Sequence, residues 1–239
     1  MHDRRVDGET LTFGNESKLF KRTMTWRDRG TGSIWSQPWG TAIVGPLKGT
    51  ALTLLPASVV PWSTWLAEYP DTTVVANDLD KTRAPADLVA RSAQSGEGLD
   101  LRRASGNTGR DDFVIGVALE GLATAYPYRL AADRRVINDR VGNHAVVVLV
   151  NPETRDIKVY LRRPSPAVPG QVTPQELLFE LDGVGQLIDG ETGSLWDIGR
   201  GVATAGPLRG AALQPIPYVT SFVWAWHDFF PHSATYEQE

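Results

Sequence analysis

The sequence predicts a mainly β protein, a β-rich α+β fold with two copies of a strand and hairpin unit, each closed by a short helix. Three observations support this prediction. Residues 31–74 match residues 192–235 at a constant offset of 161, with 15 of 44 aligned pairs identical, against roughly three expected from average residue usage. Short apolar runs alternate with turn-forming residues. Each copy ends in an apolar stripe of helical spacing followed by proline.

The first copy, residues 1–75, is expected to open with two paired strands. These strands are predicted at Leu11 to Phe13 and at Met24 to Arg27, and a turn at Asp28 to Gly32 leads into the shared segment. Glycines and prolines kept at the same offset in both copies are expected to set turns. Glycine permits positive φ, and proline fixes φ at about −65°.

The helix that closes each copy is predicted to carry its large apolar side chains on one face. In the first copy this stripe consists of Trp62, Trp65, Leu66 and Tyr69, before Pro70. In the second copy it consists of Val223, Trp226, His227 and Phe230, before Pro231. Thr220 or Ser221 is the expected N-cap of the second helix. Both stripes are expected to be buried, with Trp65 and Trp226 in the core.

Residues 76–110 contain few large apolar side chains and many Ser, Gly, Asp and Arg, so we interpret them as a connector. The second copy, residues 111–239, contains three predicted hairpins. Their strands are predicted at residues 114–119 and 122–126, at 146–150 and 157–161, and at 177–181 and 186–188.

Composition excludes several classes of function. The net charge is −4 and the pI is about 5.6, so a nucleic-acid partner is not expected. No apolar run reaches the roughly 18 residues of a membrane span. Cysteine is absent, which excludes disulfides and thiolate chemistry in this chain. Residues 1–8 lack the apolar core of a secretory signal, so the compartment stays unknown, and an extracytoplasmic location of a longer parent stays open.

The repeated sequence motifs resemble those of a known protein family. The motifs that carry the resemblance are Thr31-Gly32-Ser33-Ile34-Trp35, Gly45-Pro46-Leu47, and Val136-Ile137-Asn138-Asp139-Arg140-Val141-Gly142. They are similar to the family known as domain of unknown function 3179, and the resemblance covers nearly the whole chain outside the connector.

The sequence also departs from that family. Members typically begin with a front half-domain that contains a Trp-His pair and a Cys-Pro-x-Cys segment. At the matching places the second copy has Asp133-Arg134 and Asn151-Pro152-Glu153-Thr154, so any metal or redox site built there is absent. The resemblance implies that the front half-domain of the first copy lies upstream of Met1. We therefore expect an N-terminally truncated member.

The metal-type ligands that cluster in the sequence are His227, Asp228 and His232. The two histidines are five residues apart with Pro231 between them, whereas two ligands on one helical face are four apart. We therefore expect His227 to be half-buried at the edge of the helix, His232 to be solvated, and no metal or other cofactor to be bound.

The chain has eight tryptophans, roughly three times average usage. Trp26, Trp39 and Trp62 occur in the first copy without a counterpart in the second. They could form an exposed stacking surface for a sugar or a peptide, or they could cover a core that the missing half would otherwise cover.

No set of residues indicates a reaction, so the catalytic residues are unknown and catalysis by this chain is the less favoured hypothesis. The first hypothesis is a non-catalytic binding or structural module of a larger duplicated protein, with a small-molecule, glycan or protein partner. The second is a fragment of a metal or redox enzyme whose Cys/His site lies upstream of Met1. The third is a carbohydrate-binding surface built on Trp26, Trp39 and Trp62. His227, Asp228 and His232 are further candidate ligand-binding residues.

Overall fold

Strands dominate the computed structural model, which describes residues 1–58, 60–74 and 113–237. The predicted mainly β fold is therefore confirmed. The strands of the described residues form four sheets, and none of the described helices has the length and hydropathy needed to cross a membrane. The predicted connector lies outside the described residues.

The front unit, residues 1–74, is built on a four-stranded antiparallel sheet. Its elements are β1 Arg5–Val6, β2 Glu9–Thr10, β3 Phe13–Phe20, β4 Thr23–Asp28, β5 Ile34–Ser36, β6 Thr41–Val44 and the helix α1 Trp62–Glu68. The order of the main sheet is β3-β4-β5-β6. The predicted first strand, Leu11 to Phe13, overlaps β3 only at Phe13. The turn that ends β3 uses Lys21 and Arg22 at φ 48° and 63°, a conformation that these residue types do not indicate.

The rear unit, residues 113–237, contains the three predicted hairpins. Its elements are β7 Phe113–Leu119, β8 Leu122–Pro127, α2 Tyr128–Arg134, β9 Val136–Val141, β10 His144–Asn151, β11 Asp156–Ser165, β12 Phe179–Leu181, β13 Leu187–Asp189, β14 Leu195–Asp197, β15 Val202–Ala205, β16 Ala212–Pro215, β17 Val219–Phe222, α3 Val223–Phe229 and β18 Ala234–Thr235. The sequence did not predict α2.

Eight strands of the rear unit form a nearly closed sheet in the order β12-β13-β14-β15-β16-β11-β10-β9. Asn138 of β9 joins the two ends. Its side-chain nitrogen donates to the Phe179 carbonyl at 2.8 Å, and its side-chain oxygen accepts from the Phe179 N–H at 2.9 Å. One amide side chain thus takes the place of a backbone partner for β12. Each of the eight strands contributes apolar side chains to one or both of two buried clusters.

A second sheet of the rear unit, in the order β17-β7-β8-β18, covers α3. Trp226 is fully buried beneath it. The predicted N-cap of α3 was wrong: Phe222 precedes the helix in an extended conformation without a side-chain cap. Thr220 and Ser221 instead pair with β7.

Several elements of the two units have bounds that differ by 161 residues: β5 and β14, β6 and β15, and α1 and α3. The helices differ in burial, however. Trp65 is 37% exposed whereas Trp226 is 0% exposed, so the expectation that the stripe of α1 is buried was wrong. The physical reason is that β7 packs against α3, whereas no strand of the described residues packs as extensively against α1.

Candidate functional site: the cleft between the two units

A space of about 820 Å³, named the cleft, lies between the front and rear units. Its front wall is formed by His2, Trp26, Gln37, Pro38 and Leu54, and its rear wall by the loop between β10 and β11 and the start of β17. Most of the residues that line the cleft are apolar, whereas the loop between β10 and β11 contributes the polar Glu153, Thr154 and Arg155. A mostly apolar lining with some polar groups is usual for a binding site.

His2 packs on the front wall without offering a free base. It forms an isolated bridge with Leu54, and its ring meets the Trp26 ring edge-on at 5.9 Å. Burial lowers the pKa of His2, and the nearby N-terminal charge lowers it further. Its Nε2 atom is buried without a hydrogen bond and lies against Gly40. His2 is therefore a neutral ring that fills space.

The rear wall is fixed by hydrogen bonds to one carbonyl. The Tyr218 hydroxyl donates to the Ile157 carbonyl at 2.8 Å, and the Ser58 hydroxyl donates to the same oxygen at 3.2 Å. Burial raises the pKa of Tyr218 to about 12. Tyr218 is thus protonated and structural, and the hydrogen bond from Ser58 joins the segment before α1 to β11.

Asp156 is a buried carboxylate in this region, and it lines a smaller pocket of about 230 Å³ together with Glu68 of α1. It is 8% exposed. Its Oδ1 atom lies 3.6 Å from Lys158 Nζ, which is an ion pair but too long for a hydrogen bond, so Oδ1 has no hydrogen-bond partner. Burial raises the pKa of Asp156, Lys158 lowers it, and Glu68 raises it. A carboxyl group of this kind could bind a hydrogen-bond donor.

The residues that line the front of the cleft have buried counterparts in the rear unit. At the offset of 161, Trp26 corresponds to Leu187 and Gln37 to Ile198. Leu187 is 1% exposed, and both counterparts pack in a cluster that contains side chains of β9 and β10. In the front unit the same positions face the cleft.

The structure separates the three tryptophans proposed as a stacking surface. Trp26 lies on the wall of the cleft. Trp39 packs on α3, with ring centroids 5.4 Å from Trp226 and 4.6 Å from Phe230. Trp62 is 55% exposed on α1. Among the described residues, no ring contact joins two of these three tryptophans.

The three candidate ligand-binding residues near the C-terminus, His227, Asp228 and His232, do not form a common site either. Asp228 Oδ2 accepts a hydrogen bond from Arg22 at 2.6 Å, and its carbonyl accepts one from Lys21, so Asp228 joins α3 to the front sheet. His227 is partly buried and His232 is exposed. Within the described ranges, no three His, Asp or Glu side chains form a group that could hold a metal.

Two buried aspartates have a specific structural role that the sequence analysis did not predict. Asp28 and Asp189 each accept a hydrogen bond at 2.9 Å from the indole N–H of the tryptophan seven residues later. Each also accepts one at 2.6 Å from the backbone N–H of the threonine three residues later. The available signal was their offset of 161, just ahead of the matched segment. No sequence signal marks Asp156 or Gln37.

Comparisons with known proteins identify the family of the chain, but they do not indicate an activity. A family model described as "Protein of unknown function (DUF3179)" matches residues 1–233. Neither the comparison with curated proteins nor that with solved structures finds a match. The match spans both units and the cleft between them, and the chain therefore belongs to the DUF3179 family.

Proposed function

We propose that this chain is a non-catalytic binding module made of two copies of one unit, and that the cleft binds a polypeptide partner in β conformation. The observation that carries the proposal is the exposure of Trp26 and Gln37 to the cleft at positions whose counterparts pack against β9 and β10 in the rear unit.

Matching interactions support the duplication. The Asp28–Trp35 bond recurs as Asp189–Trp196. The hydroxyl of Ser33 accepts the Leu47 N–H at 3.1 Å, and Ser194 accepts the Leu208 N–H at 3.0 Å. Buried polar contacts need specific partners, so their recurrence at one offset supports a common ancestral unit rather than a chance likeness of strands.

The edges of the front sheet favour a polypeptide over a small molecule. In the rear unit the strands equivalent to β5 and β6 continue into β16, β11, β10 and β9. The described front sheet is extended beyond β6 by two isolated bridges, Thr41 with Ala51 and His2 with Leu54. A sheet that stops early presents backbone donors and acceptors that an added strand can pair with.

The chemistry of the cleft supports binding rather than catalysis. The Tyr218 hydroxyl is committed to the Ile157 carbonyl. The buried nitrogen of His2 faces Gly40. General acid and base catalysis requires such groups to reach a substrate proton, and neither of these two does.

The test uses a fluorescein-labelled synthetic peptide with the sequence of residues 136–151, the β9–β10 hairpin, extended by two lysines for solubility. We expect its fluorescence anisotropy to rise with added protein. Gln37→Arg should weaken the binding about tenfold, the equivalent of 1.4 kcal/mol, because it places a charge on the wall of the cleft. Gln186→Arg, an exchange of the same residue types at an exposed turn of the rear unit, should have no effect.

Two results would overturn the proposal. One is the absence of saturable peptide binding to the wild-type protein. The other is saturable binding of 8-anilinonaphthalene-1-sulfonate that Gln37→Arg abolishes and the peptide does not displace, since the cleft would then be a small-molecule site.

A further inference from the structure

We infer that α1 and the segments on both sides of it form a docking surface for a β-hairpin that places a glycine flat on the Trp65 indole. The inference rests on the proposed duplication of the unit, but it concerns a surface that borders the cleft at residues 60–61 and has its own test. This surface, named the α1 surface, consists of α1, residues 58 and 60–61, and residues 72–74.

The α1 surface exposes a contiguous set of large apolar side chains. The exposed fractions are 55% for Trp62, 37% for Trp65, 39% for Leu66 and 39% for Tyr69. The Trp65 N–H already donates to the Thr72 hydroxyl at 2.8 Å, so the part of the indole that remains open is apolar. Exposed apolar patches of this kind mark interaction sites.

The equivalent helix of the rear unit, α3, is covered by the strand β7. Trp226 has the same polar contact, a hydrogen bond from its N–H to the Ser233 hydroxyl at 2.9 Å, yet it is 0% exposed. The covering residue is Gly116 of β7: a Cβ atom added there would lie 2.0 Å from the Trp226 ring. The backbone of β7 thus rests directly on the indole, and only glycine allows this approach.

The segments that flank the two helices also correspond. β17 enters α3 through Phe222 at φ −64° and ψ 144°, and residue 61 enters α1 as Pro61 at φ −56° and ψ 143°. β17 pairs with β7 antiparallel, and β18 pairs with β8 in parallel. Their counterparts, residues 58 and 60–61 before α1 and residues 73–74 after it, belong to no strand. In the proposed complex these two segments would supply the backbone partners for the two strands of a hairpin.

Part of α1 already contacts the rear unit, which limits the size of the partner. Arg200 of the rear unit donates to the Glu68 carbonyl at 2.5 Å, and its guanidinium lies 5.8 Å from the centre of the Tyr69 ring. Trp62 and Leu66 stand where α3 has Val223 and His227, so the α1 surface is the more apolar of the two. The partner is thus a two-stranded hairpin with an apolar inner face and a glycine in its first strand.

The test uses a labelled peptide with the sequence of residues 113–127, the β7–β8 hairpin, flanked by lysines. We expect saturable binding to the wild-type chain. A peptide in which the residue equivalent to Gly116 is leucine should not bind, because its side chain would meet the indole. In the protein, Leu66→Arg should weaken binding about tenfold or more, the equivalent of at least 1.4 kcal/mol. Leu178→Arg, at a residue that is 54% exposed in the rear unit, should have no effect.

The inference is overturned if the wild-type peptide does not bind, if the leucine peptide binds equally well, or if Leu66→Arg leaves binding unchanged. It is also overturned if sedimentation shows that Leu66→Arg converts a stable homodimer into a monomer, because a second copy would then occupy the surface. Gln37→Arg separates the two proposals: it should affect the peptide of residues 136–151 and leave the hairpin peptide unaffected.

Discussion

In each unit, one buried aspartate accepts a hydrogen bond from a buried tryptophan: Asp28 from Trp35, and Asp189 from Trp196. Burial alone would raise the pKa of Asp28, but hydrogen bonds from Trp35, Thr31 and Gly32 hold it below its ordinary 3.8. A carboxyl with a lowered pKa contributes stability above that ordinary value and loses it as the pH falls below. These bonds therefore link the turn after β4 to the core of the front unit and weaken in acid.

Asp28→Ala should lower the free energy of unfolding at pH 7 by about 1–3 kcal/mol, because the buried indole N–H of Trp35 would lose its acceptor. The difference from wild type should shrink below about pH 4. Urea titrations at several pH values measure this. Asp71→Ala, at an exposed turn residue, is the control, and equal effects of the two substitutions would contradict the structural role of Asp28.

Asp156 is expected to behave in the opposite way. Because burial raises its pKa, the folded state binds the proton more tightly than the unfolded state, and stability is lost as the pH rises through the ordinary value of 3.8. Asp156→Asn should therefore increase stability at pH 7, and the gain should disappear in acid. Chemical denaturation at pH 7 and pH 3 tests this expectation. A variant that is less stable at pH 7 would mean that the ion pair with Lys158 outweighs the cost of burial.

At the scale of elements, one side chain closes the eight-stranded sheet. Asn138 supplies both hydrogen bonds between β9 and the Phe179 backbone. Asn138→Ala should cost about 1–3 kcal/mol, because a buried N–H and a buried C=O would lose their partners. Hydrogen exchange of the Phe179 amide should speed up more than that of amides in β10. Unchanged exchange at Phe179 would show that the sheet closes without Asn138.

The two closing helices offer a matched pair of substitutions. Trp226→Ala should cost about 3–5 kcal/mol, as expected for a large buried ring that leaves a cavity. Trp65→Ala removes the same side chain from a helix at the same offset, but it should cost less because Trp65 is 37% exposed. Denaturant titration of both variants measures the contrast. Equal losses would indicate that Trp65 is covered in solution.

The sequence pattern predicts elements better than it predicts their surroundings. Turn residues and alternating strands located the hairpins 114–126 and 146–161, and the proline after each stripe located the end of each helix. The spacing of Trp62 and Trp65 places them on one face, but it carries no information on whether another element covers that face. Closure by Asn138 links residues 41 positions apart, and local patterns cannot encode such a bond. The same limit hid the cleft, since its walls come from both units.

At the scale of the whole molecule, the two units contact each other through equivalent positions. Trp39 of the front unit packs on Phe230 of α3 at 4.6 Å, and Arg200 of the rear unit lies over Tyr69 beside α1 at 5.8 Å. Residues 39 and 200, and residues 69 and 230, are each 161 apart. Such reciprocity is the arrangement of an isologous interface. Lys21 and Arg22 strengthen the front contact through their bonds to Asp228.

Trp39 is therefore the residue expected to couple the unfolding of the two units. Trp39→Ala removes contacts with three rings of the segment 226–230 and should cost about 1–3 kcal/mol. Because the lost contacts join the units rather than stabilise either one, the unfolding curve should separate into two transitions. Trp39→Phe keeps an aromatic ring and removes an indole N–H that is buried without a partner, so it should retain a single transition with nearly unchanged stability. Differential scanning calorimetry of the three proteins distinguishes these outcomes, and a single unshifted transition in Trp39→Ala would mean that other contacts hold the units together.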